Sequence, residues 1–127
     1  LRYKLIPYLY SYGLIAHQEG LPIMRPMVLE YPKDPATYNL SGQYLLGKEI
    51  LVAPVLRRDD RKKIYLPDGK WKNDWTGEQI KGPKSIKRKV PLEELPLYIK
   101  ENSIIPFGPD IDYVGQKEEE LTLYSFL

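Results

Sequence analysis

One stretch decides the fold of this chain, Gln43-Tyr-Leu-Leu-Gly-Lys-Glu-Ile-Leu-Val-Ala-Pro-Val55. Its first part predicts a short helix from Gln43 to Leu46, because Gly47 is a residue that commonly ends a helix. Its second part predicts a buried apolar strand, Ile50–Val55, with Pro54 at a strand end or edge because proline donates no ladder hydrogen bond. The stretch therefore indicates a change from helical to β architecture near its middle.

The residues before this stretch have the pattern of an amphipathic helix. Apolar side chains recur at spacings of three and four through residues 1–19, which indicates one buried stripe. Pro7 predicts that the helix starts or kinks there, because proline removes a backbone hydrogen bond, and Gly20 ends the helix. We interpret the stripe as core, and its members are Leu1, Leu5, Tyr8, Leu9, Tyr12, Ile15 and Ala16.

An almost wholly apolar run follows at Ile23–Leu29. Such a run is typical of a strand buried on both faces, as in a parallel barrel. The loop Tyr31–Pro35 contains two prolines and predicts a turn, after which Asn39 or Ser41 could cap the short helix. The order of these elements, a helix, a strand and a short helix, predicts that residues 1–48 are the last elements of a (β/α)8 barrel.

Short strand patterns, separated by glycine and proline turn signals, occupy residues 49–127. They predict an antiparallel β-sandwich domain. The expected fold class is therefore mixed α and β, with barrel elements followed by a sandwich. The strands are Ile50–Val55, Lys63–Leu66, Ser85–Val90, Leu97–Lys100, Ser103–Pro106 and Leu121–Phe126, and the turns are Pro67–Gly69, Thr76-Gly77, Gly82-Pro83 and Gly108-Pro109.

The composition excludes several classes of protein. A length of 127 residues suits about one domain, and 43% hydrophobic residues is ordinary for a globular chain. A net charge of +2 is too small to be the footprint of a nucleic-acid binder. The absence of cysteine excludes disulfides and thiolate metal sites. It fits a reducing compartment such as the cytoplasm, although small extracellular β domains also lack cysteine.

No apolar run approaches the roughly 18 residues that a membrane span requires, so no membrane partner is expected. The chain begins with leucine instead of methionine and stops within a strand pattern. We therefore expect it to be a piece of a longer polypeptide.

Carboxylates are the first candidates for chemistry, because a pair of them can serve as general acid and as base or nucleophile. Glu30 follows the barrel-like strand, so it could face the end of a barrel where active sites assemble. Asp59, Asp60 and Glu118–Glu120 lie in polar loops or among basic residues and are interpreted as solvated surface charge. The full set is Glu30, Asp34, Asp59, Asp60, Glu93, Glu94 and Glu118–Glu120.

Two other ionisable residues have simpler interpretations. Arg25 lies inside an apolar run and must be paired if buried, with Glu30 or a carboxylate outside the chain as its partner. A role for Arg25 in positioning an active-site carboxylate stays open. His17 is the only histidine and there is no cysteine, so the chain offers few of the residues that a metal site or a Ser-His-Asp triad requires. We expect His17 to interact with the last carbonyls of the first helix.

Trp71 and Trp75 are candidates for either stacking on sugars or anchoring a hairpin in the core. The tight turns beside them favour the core. The basic segments Arg57–Lys63 and Lys84–Lys89 could contact phosphate, but charged, solvated β edges explain them better.

The ordered series of short blocks resembles glycoside hydrolase family 31, the α-glucosidases and α-xylosidases. Each block alone is common, and their order and spacing carry the resemblance. The blocks are Arg2–Tyr10, Gly20–Met27, Gln43–Gly47, Leu51–Val55, Tyr65–Trp71, Trp75–Gly77, Leu95–Ile99 and Ile104–Pro109.

The resemblance implies a retaining hydrolase of terminal α-linked glucosides or xylosides, whose two catalytic aspartates lie upstream of this segment. No residue here matches either aspartate, so no catalytic residue is assigned and the substrate-binding residues are unknown. His17 does not match the family's sugar-binding histidine. No cofactor and no metal are expected.

The implied partners are an oligosaccharide or glycoside substrate and the catalytic barrel of the same polypeptide. The segment would brace that barrel. On its own it is expected to be inactive and prone to associate, for instance as a homo-oligomer. Two alternatives stay open. A stand-alone carbohydrate-binding β module would require Trp71 or Trp75 to be exposed, and a basic β protein would retain nucleic acid.

Overall fold

The computed structural model describes residues 1, 3–56, 61–109 and 121–127. The chain divides into two compact units, Met24–Glu101 in one and Leu1–Ile23 with Asn102–Leu127 in the other. The larger unit contains the six-stranded sheet of the described residues, and the smaller contains a helix and a two-stranded sheet.

The sheet of the larger unit is antiparallel at every pairing between its described strands. Its order is β1-β2-β3-β6-β4-β5, so β1 and β5 form its edges. The strands are β1 (Met24–Pro26), β2 (Tyr44–Leu46), β3 (Ile50–Val52), β4 (Arg61–Asn73), β5 (Gln79–Lys89) and β6 (Leu97–Lys100). A short helix, α2 (Met27–Glu30), and a 3-10 turn (Pro35–Thr37) lie between β1 and β2.

The core of this unit is one apolar cluster contributed by most of the strands. Its largest member is Trp71, which is 0% exposed. Burial of large apolar side chains is the dominant favourable term in folding, so this cluster stabilises the unit. The buried members are Met27, Leu45, Leu51, Ala53, Ile64, Leu66, Trp71, Ile80, Ile86 and Tyr98.

The short helix expected from Gln43 to Leu46 is wrong, because this segment forms β2. Leu45 is fully buried between half-buried neighbours, which is the two-residue alternation of a strand. β2 pairs with β1 on one side and β3 on the other, so neither Asn39 nor Ser41 caps a helix here. Gly47 has a φ of 64° and turns the chain from β2 into β3.

The expected parallel strand at Ile23–Leu29 is shorter in the structure and differs in its pairing. β1 covers three residues and pairs antiparallel with β2, after which the chain enters α2. The barrel and the boundary between residues 48 and 49 stay predictions, and β2 and β3, which lie on either side of that boundary, pair with each other.

The hairpin of β4 and β5 is longer than the sequence pattern predicts. Pro67–Gly69 and Gly82-Pro83 were expected to separate strands, but they lie inside the hairpin. The register shifts between Leu66 and Gly69, which marks a β-bulge, and Gly69 is opposite Gly82. The peptide bond between Gly82 and Pro83 is cis. The predicted turn at Thr76-Gly77 is confirmed, with Gly77 at a φ of 75°.

We expect Gly82→Ala to lower the free energy of unfolding by about 1–3 kcal/mol, the usual cost of overpacking. A Cβ at this position would lie 1.9 Å from the carbonyl oxygen of Pro67 and 2.7 Å from that of Leu66. These atoms belong to the backbone of the paired strand and cannot rotate away. Urea unfolding followed by circular dichroism measures the change.

Gly13→Ala is the matched control for this prediction. No atom lies within 4 Å of a Cβ built at this helical position. Alanine is favoured over glycine in a helix by roughly 0.5–1 kcal/mol, so the control should unfold at a higher urea concentration than the parent chain. Equal midpoints for the two variants would contradict the close approach at Gly82.

The smaller unit contains α1 (Ile6–Glu19), β7 (Ser103–Phe107) and β8 (Thr122–Phe126). Pro7 lies in the first turn of α1, so the helix starts there and does not kink. Gly20 adopts a φ of 71° and its N–H donates to the Ala16 carbonyl at 2.9 Å, which confirms the predicted helix end. The exposure of Leu1, at 56%, shows that the buried stripe is shorter than expected and comprises Leu5, Tyr8 and Tyr12.

β7 and β8 pair antiparallel from Ser103 opposite Phe126 to Phe107 opposite Thr122. Antiparallel β structure is thus confirmed for the second half of the chain. The packing of sheets into a sandwich stays a prediction.

Candidate functional site

A cleft of about 570 Å³ opens in the larger unit beside the loop that follows α2. Two segments face it, the loop itself and the bulged part of the β4–β5 hairpin. Ligand pockets typically measure about 300–1,000 Å³, so the cleft has the size of a small-molecule site. It is lined by Glu30, Tyr31, Pro32, Lys33, Asp34, Pro35, Tyr65, Asp68 and Pro83.

Glu30 forms a buried ion pair with Arg25. The Arg25 Nη1 donates to Glu30 Oε1, and the side chain of Arg25 is 0% exposed while that of Glu30 is 19% exposed. This confirms the prediction that a buried Arg25 pairs with a carboxylate. The pair fixes the Glu30 carboxylate at the edge of the cleft.

Tyr65 and Asp34 form the polar contact across the cleft. The Tyr65 hydroxyl donates to Asp34 Oδ2. Burial, the hydrogen bond to Asp34 and the negative charges of Asp34 and Asp68 raise the pKa of Tyr65 to about 12. Each of these causes disfavours the tyrosinate anion, so the hydroxyl stays protonated and holds the Asp34 carboxylate in place.

The loop of the cleft is rigidly held by its own hydrogen bonds. The Thr37 hydroxyl contacts the Tyr31 carbonyl at 3.0 Å and the Asp34 carbonyl at 2.7 Å. Asp34 Oδ1 accepts from the Ala36 N–H at 3.1 Å, which caps the 3-10 turn. The Tyr38 hydroxyl donates to the Pro32 carbonyl at 2.9 Å.

The opposite wall is held by a buried amide. Gln43 Nε2 donates to the Tyr65 carbonyl at 2.7 Å, and the Tyr65 N–H donates to Gln43 Oε1 at 2.9 Å. The nitrogen and the oxygen of the Gln43 amide therefore both pair with the backbone of a single residue, Tyr65 of β4. This pairing fixes the position of the Tyr65 ring relative to the loop.

Tyr31 is the aromatic residue at the start of the loop. It packs partly against the apolar core, and the Lys100 ammonium lies 5.4 Å from its ring centroid, a cation–π distance. Burial raises the pKa of the Tyr31 hydroxyl, and the hydrogen bond and positive charge of Lys100 oppose this rise. The ring is thus fixed in its orientation.

We expect Asp34→Asn to lower the pKa of Tyr65 from about 12 towards the ordinary tyrosine value of 10.0. The substitution removes the negative charge, although asparagine can still cap the turn. Tyrosinate absorbance during an alkaline titration measures the change. Subtracting the titration curve of the matching chain that also carries Tyr65→Phe leaves the contribution of Tyr65 alone.

The folded chain should also lose stability as the pH rises above 10. A raised folded-state pKa contributes stability that is complete below pH 10 and is lost between 10 and about 12. The Asp34→Asn chain should lose less folding stability than the parent chain over this pH window. Asp74→Asn, which alters an exposed aspartate outside the cleft, is the control. Identical titrations for the two variants would contradict the role of Asp34.

The two tryptophans have different environments. Trp71 is fully buried in the core, and its indole N–H donates to the Pro67 carbonyl at 2.9 Å, so the core interpretation is confirmed for it. Trp75 is 52% exposed, and its indole N–H donates to the Leu95 carbonyl at 2.7 Å. Trp75 therefore meets the exposure condition of the sugar-binding alternative.

The remaining sequence candidates do not gather into a site. Glu93 is exposed and Glu94 half-buried, next to the turn before β6, and His17 lies exposed in the last turn of α1. Asp59, Asp60 and Glu118–Glu120 lie outside the described residues. Within the described part of the chain, no group of three or more His, Cys, Asp or Glu side chains could hold a metal ion.

The basic segments meet across the β4–β5 hairpin where the structure describes them. Arg61 lies opposite Lys89 and Lys63 opposite Lys87. Like charges in directly opposite positions are destabilising, but β5 is an edge of the sheet, where charge prevents pairing with other chains. Residues 57–60 of the first segment lie outside the described residues.

None of the helices described is long and apolar enough to cross a membrane.

The cleft brings together residues that the sequence pattern did not connect. Asp34 and Glu30 were candidates, whereas Tyr65, Asp68 and Pro83 were not. The turn-rich loop was visible in the sequence, but the partner wall lies about 30 residues further on, as the separation of 31 between Asp34 and Tyr65 shows.

An antiparallel β domain with a loop-lined cleft is the class of structure that these observations define. Known proteins share the fold of this domain. The family model described as the glycosyl hydrolase family 31 C-terminal domain matches residues 20–105, which is most of the chain. The chain therefore belongs to glycosyl hydrolase family 31.

The similar proteins are much longer than this chain. An alpha-glucosidase from Saccharolobus solfataricus is 41% identical over 110 residues, which cover 87% of this chain and 15% of that protein. An alpha-xylosidase from the same organism is 38% identical over 84% of this chain and 15% of its own length. A family 31 dextranase from Flavobacterium johnsoniae superposes with a TM-score of 0.91 at 44% identity, covering 95% of this chain and 15% of that one.

Proposed function

We propose that this chain is the carboxyl-terminal β domain, with adjoining barrel elements, of a retaining α-glycosidase that hydrolyses terminal α-linked glucosides or xylosides. The match of residues 20–105 to the family's C-terminal domain is the observation that supports it most. Relatives named alpha-glucosidase and alpha-xylosidase are 41% and 38% identical to the chain over the aligned residues. The catalytic aspartates belong to the part of such proteins that this chain does not cover.

The proposed role of the chain is to brace the catalytic barrel. β1 is an edge of the sheet, and Met24, Val28 and Leu29 expose 59%, 36% and 41% of their surface beside it. Exposed apolar surface at a sheet edge marks a contact surface. A rigid brace keeps catalytic groups in productive geometry, where displacements of about 1 Å can cost a hundredfold in rate.

The test is to express the whole reading frame that contains the codons of this chain, and the 127-residue chain alone. The longer protein should hydrolyse p-nitrophenyl α-glucoside or α-xyloside and release the α-anomer first, as proton NMR detects. The chain alone should show no turnover. Turnover by the chain alone, or release of the β-anomer first, would contradict the proposal.

A second candidate function is a stand-alone carbohydrate-binding β module. The 52% exposure of Trp75 favours it, because exposed indoles present a flat apolar face with a polar edge. Titration of the chain with maltose should then shift the tryptophan fluorescence, and Trp75→Ala should abolish the shift. Buried Trp71 would not contribute.

A further inference from the structure

We propose that the cleft between the loop Tyr31–Pro35 and the β4–β5 hairpin binds one pyranose unit of a glycoside. The cleft is evident from the geometry alone, whereas the choice of a sugar as its occupant rests on the proposed function. Of its lining residues, the sequence pattern offered only Glu30 and Asp34 as candidates for chemistry.

The walls of the cleft suit the apolar faces of a sugar ring. Tyr31 and Tyr65 contribute aromatic rings, and Pro32, Pro35 and Pro83 contribute flat aliphatic surfaces. Ligand pockets combine such apolar walls with a few polar groups that fix orientation. The C–H faces of a pyranose can lie on these surfaces without burying an unpaired polar group.

The polar groups of the cleft suit hydroxyl donors. Glu30, Asp34 and Asp68 are carboxylates, which only accept hydrogen bonds when ionised, and Lys33 supplies a donor. Glu30 is already paired with Arg25, and the two remaining carboxylates outnumber the single ammonium of Lys33, which disfavours an anion such as phosphate. A purely apolar ligand would strip water from the carboxylates without replacing it, which is costly. A neutral ligand rich in hydroxyl groups satisfies both constraints.

The carboxylates of Glu30 and Asp34 are fixed in position before a ligand arrives. Arg25 anchors Glu30, and the Tyr65 hydroxyl anchors Asp34. The amide of Gln43 holds the backbone of Tyr65, with both hydrogen bonds at 2.9 Å or less. A preorganised site avoids the entropic cost of ordering side chains on binding. Asp68 is exposed at the bulge, where it can accept hydroxyl hydrogen bonds.

The experiment is hydrogen–deuterium exchange with mass spectrometry, on the 127-residue chain with and without maltose. The longer protein is measured with and without thiomaltose, the sulfur-linked maltose analogue that a glycosidase does not hydrolyse. Both sugars should slow exchange in peptides that cover the loop Tyr31–Pro35 and the bulge Tyr65–Asp68. Sorbitol at the same concentration is the control for general stabilisation by a polyol. Protection that is equal with sorbitol, or absent at the cleft in both proteins, would overturn the proposal.

Asp68→Asn tests the carboxylate itself. Loss of a hydrogen bond to a charged acceptor should raise the maltose concentration for half-maximal protection about tenfold. Asp74→Asn, an exposed aspartate outside the cleft, should leave it unchanged. Equal effects of the two substitutions would count against a sugar in the cleft.

The result also separates the two proposals. Hydrolysis by the longer protein without protection at the cleft would overturn the sugar site and leave the glycosidase assignment intact. Protection at the cleft without hydrolysis would support the sugar site and count against the glycosidase assignment.

Discussion

Trp71→Ala should lower the free energy of unfolding by about 3–5 kcal/mol, the usual cost of truncating a buried aromatic side chain. Trp71 is 0% exposed and is the largest side chain of the core cluster. The truncation removes its contacts with that cluster, and it removes the indole that donates to the Pro67 carbonyl at 2.9 Å. Small domains are stable by about 5–15 kcal/mol, so this single change should unfold a measurable fraction of the chain.

Urea unfolding monitored by far-ultraviolet circular dichroism measures this effect. Trp75→Ala is the matched control, because the residue has the same type and lies on the same hairpin but is 52% exposed. Trp75→Ala should lower the free energy of unfolding by about 1 kcal/mol, chiefly because it removes the hydrogen bond to the Leu95 carbonyl. Equal costs at the two positions would contradict the assignment of Trp71 to the core.

Glu30→Gln should be the second large effect, with a loss of about 3–5 kcal/mol. The substitution removes the negative charge that faces Arg25, whose side chain is 0% exposed. A buried guanidinium without its counter-charge has lost hydration that the protein no longer replaces. The thermal midpoint and the urea midpoint should both fall.

Glu78→Gln is the control for this prediction. Glu78 pairs with Arg88 at 2.8 Å, but their side chains are 46% and 39% exposed, and exposed ion pairs contribute about 0–1 kcal/mol. The double substitution Arg25→Met with Glu30→Gln should recover much of the loss, because it removes the buried charge itself. A double variant as unstable as Glu30→Gln alone would show that charge burial is not the cause.

Some elements could be predicted within a few residues because their signals are local. β6 has the bounds that the pattern Leu97–Lys100 predicts, since Pro96 precedes it and a turn follows. α1 starts beside Pro7 and ends at Gly20 as expected, because proline and glycine act on the backbone of their own turn. The family resemblance was likewise visible in the order of short blocks, and the match of residues 20–105 confirms it.

Other elements were predicted incorrectly because distant strands decide them. A four-residue segment such as Gln43–Leu46 has too few residues to distinguish a helical from a strand period. β1 and β3 on either side make it a strand. Pro67–Gly69 has the composition of a turn, but pairing with β5 makes it a bulge inside β4.

The sequence by itself therefore determined the family, the helix ends, several strands and the need to pair Arg25. The tertiary structure decided that Glu30 is the partner of Arg25, that Trp71 is buried while Trp75 is exposed, and that Asp34 meets Tyr65 in a cleft. The physical reason is the separation along the chain over which each kind of interaction acts. Backbone propensities act within a few residues, whereas burial and side-chain hydrogen bonds depend on which strands pair, and the contact between Asp34 and Tyr65 spans 31 residues.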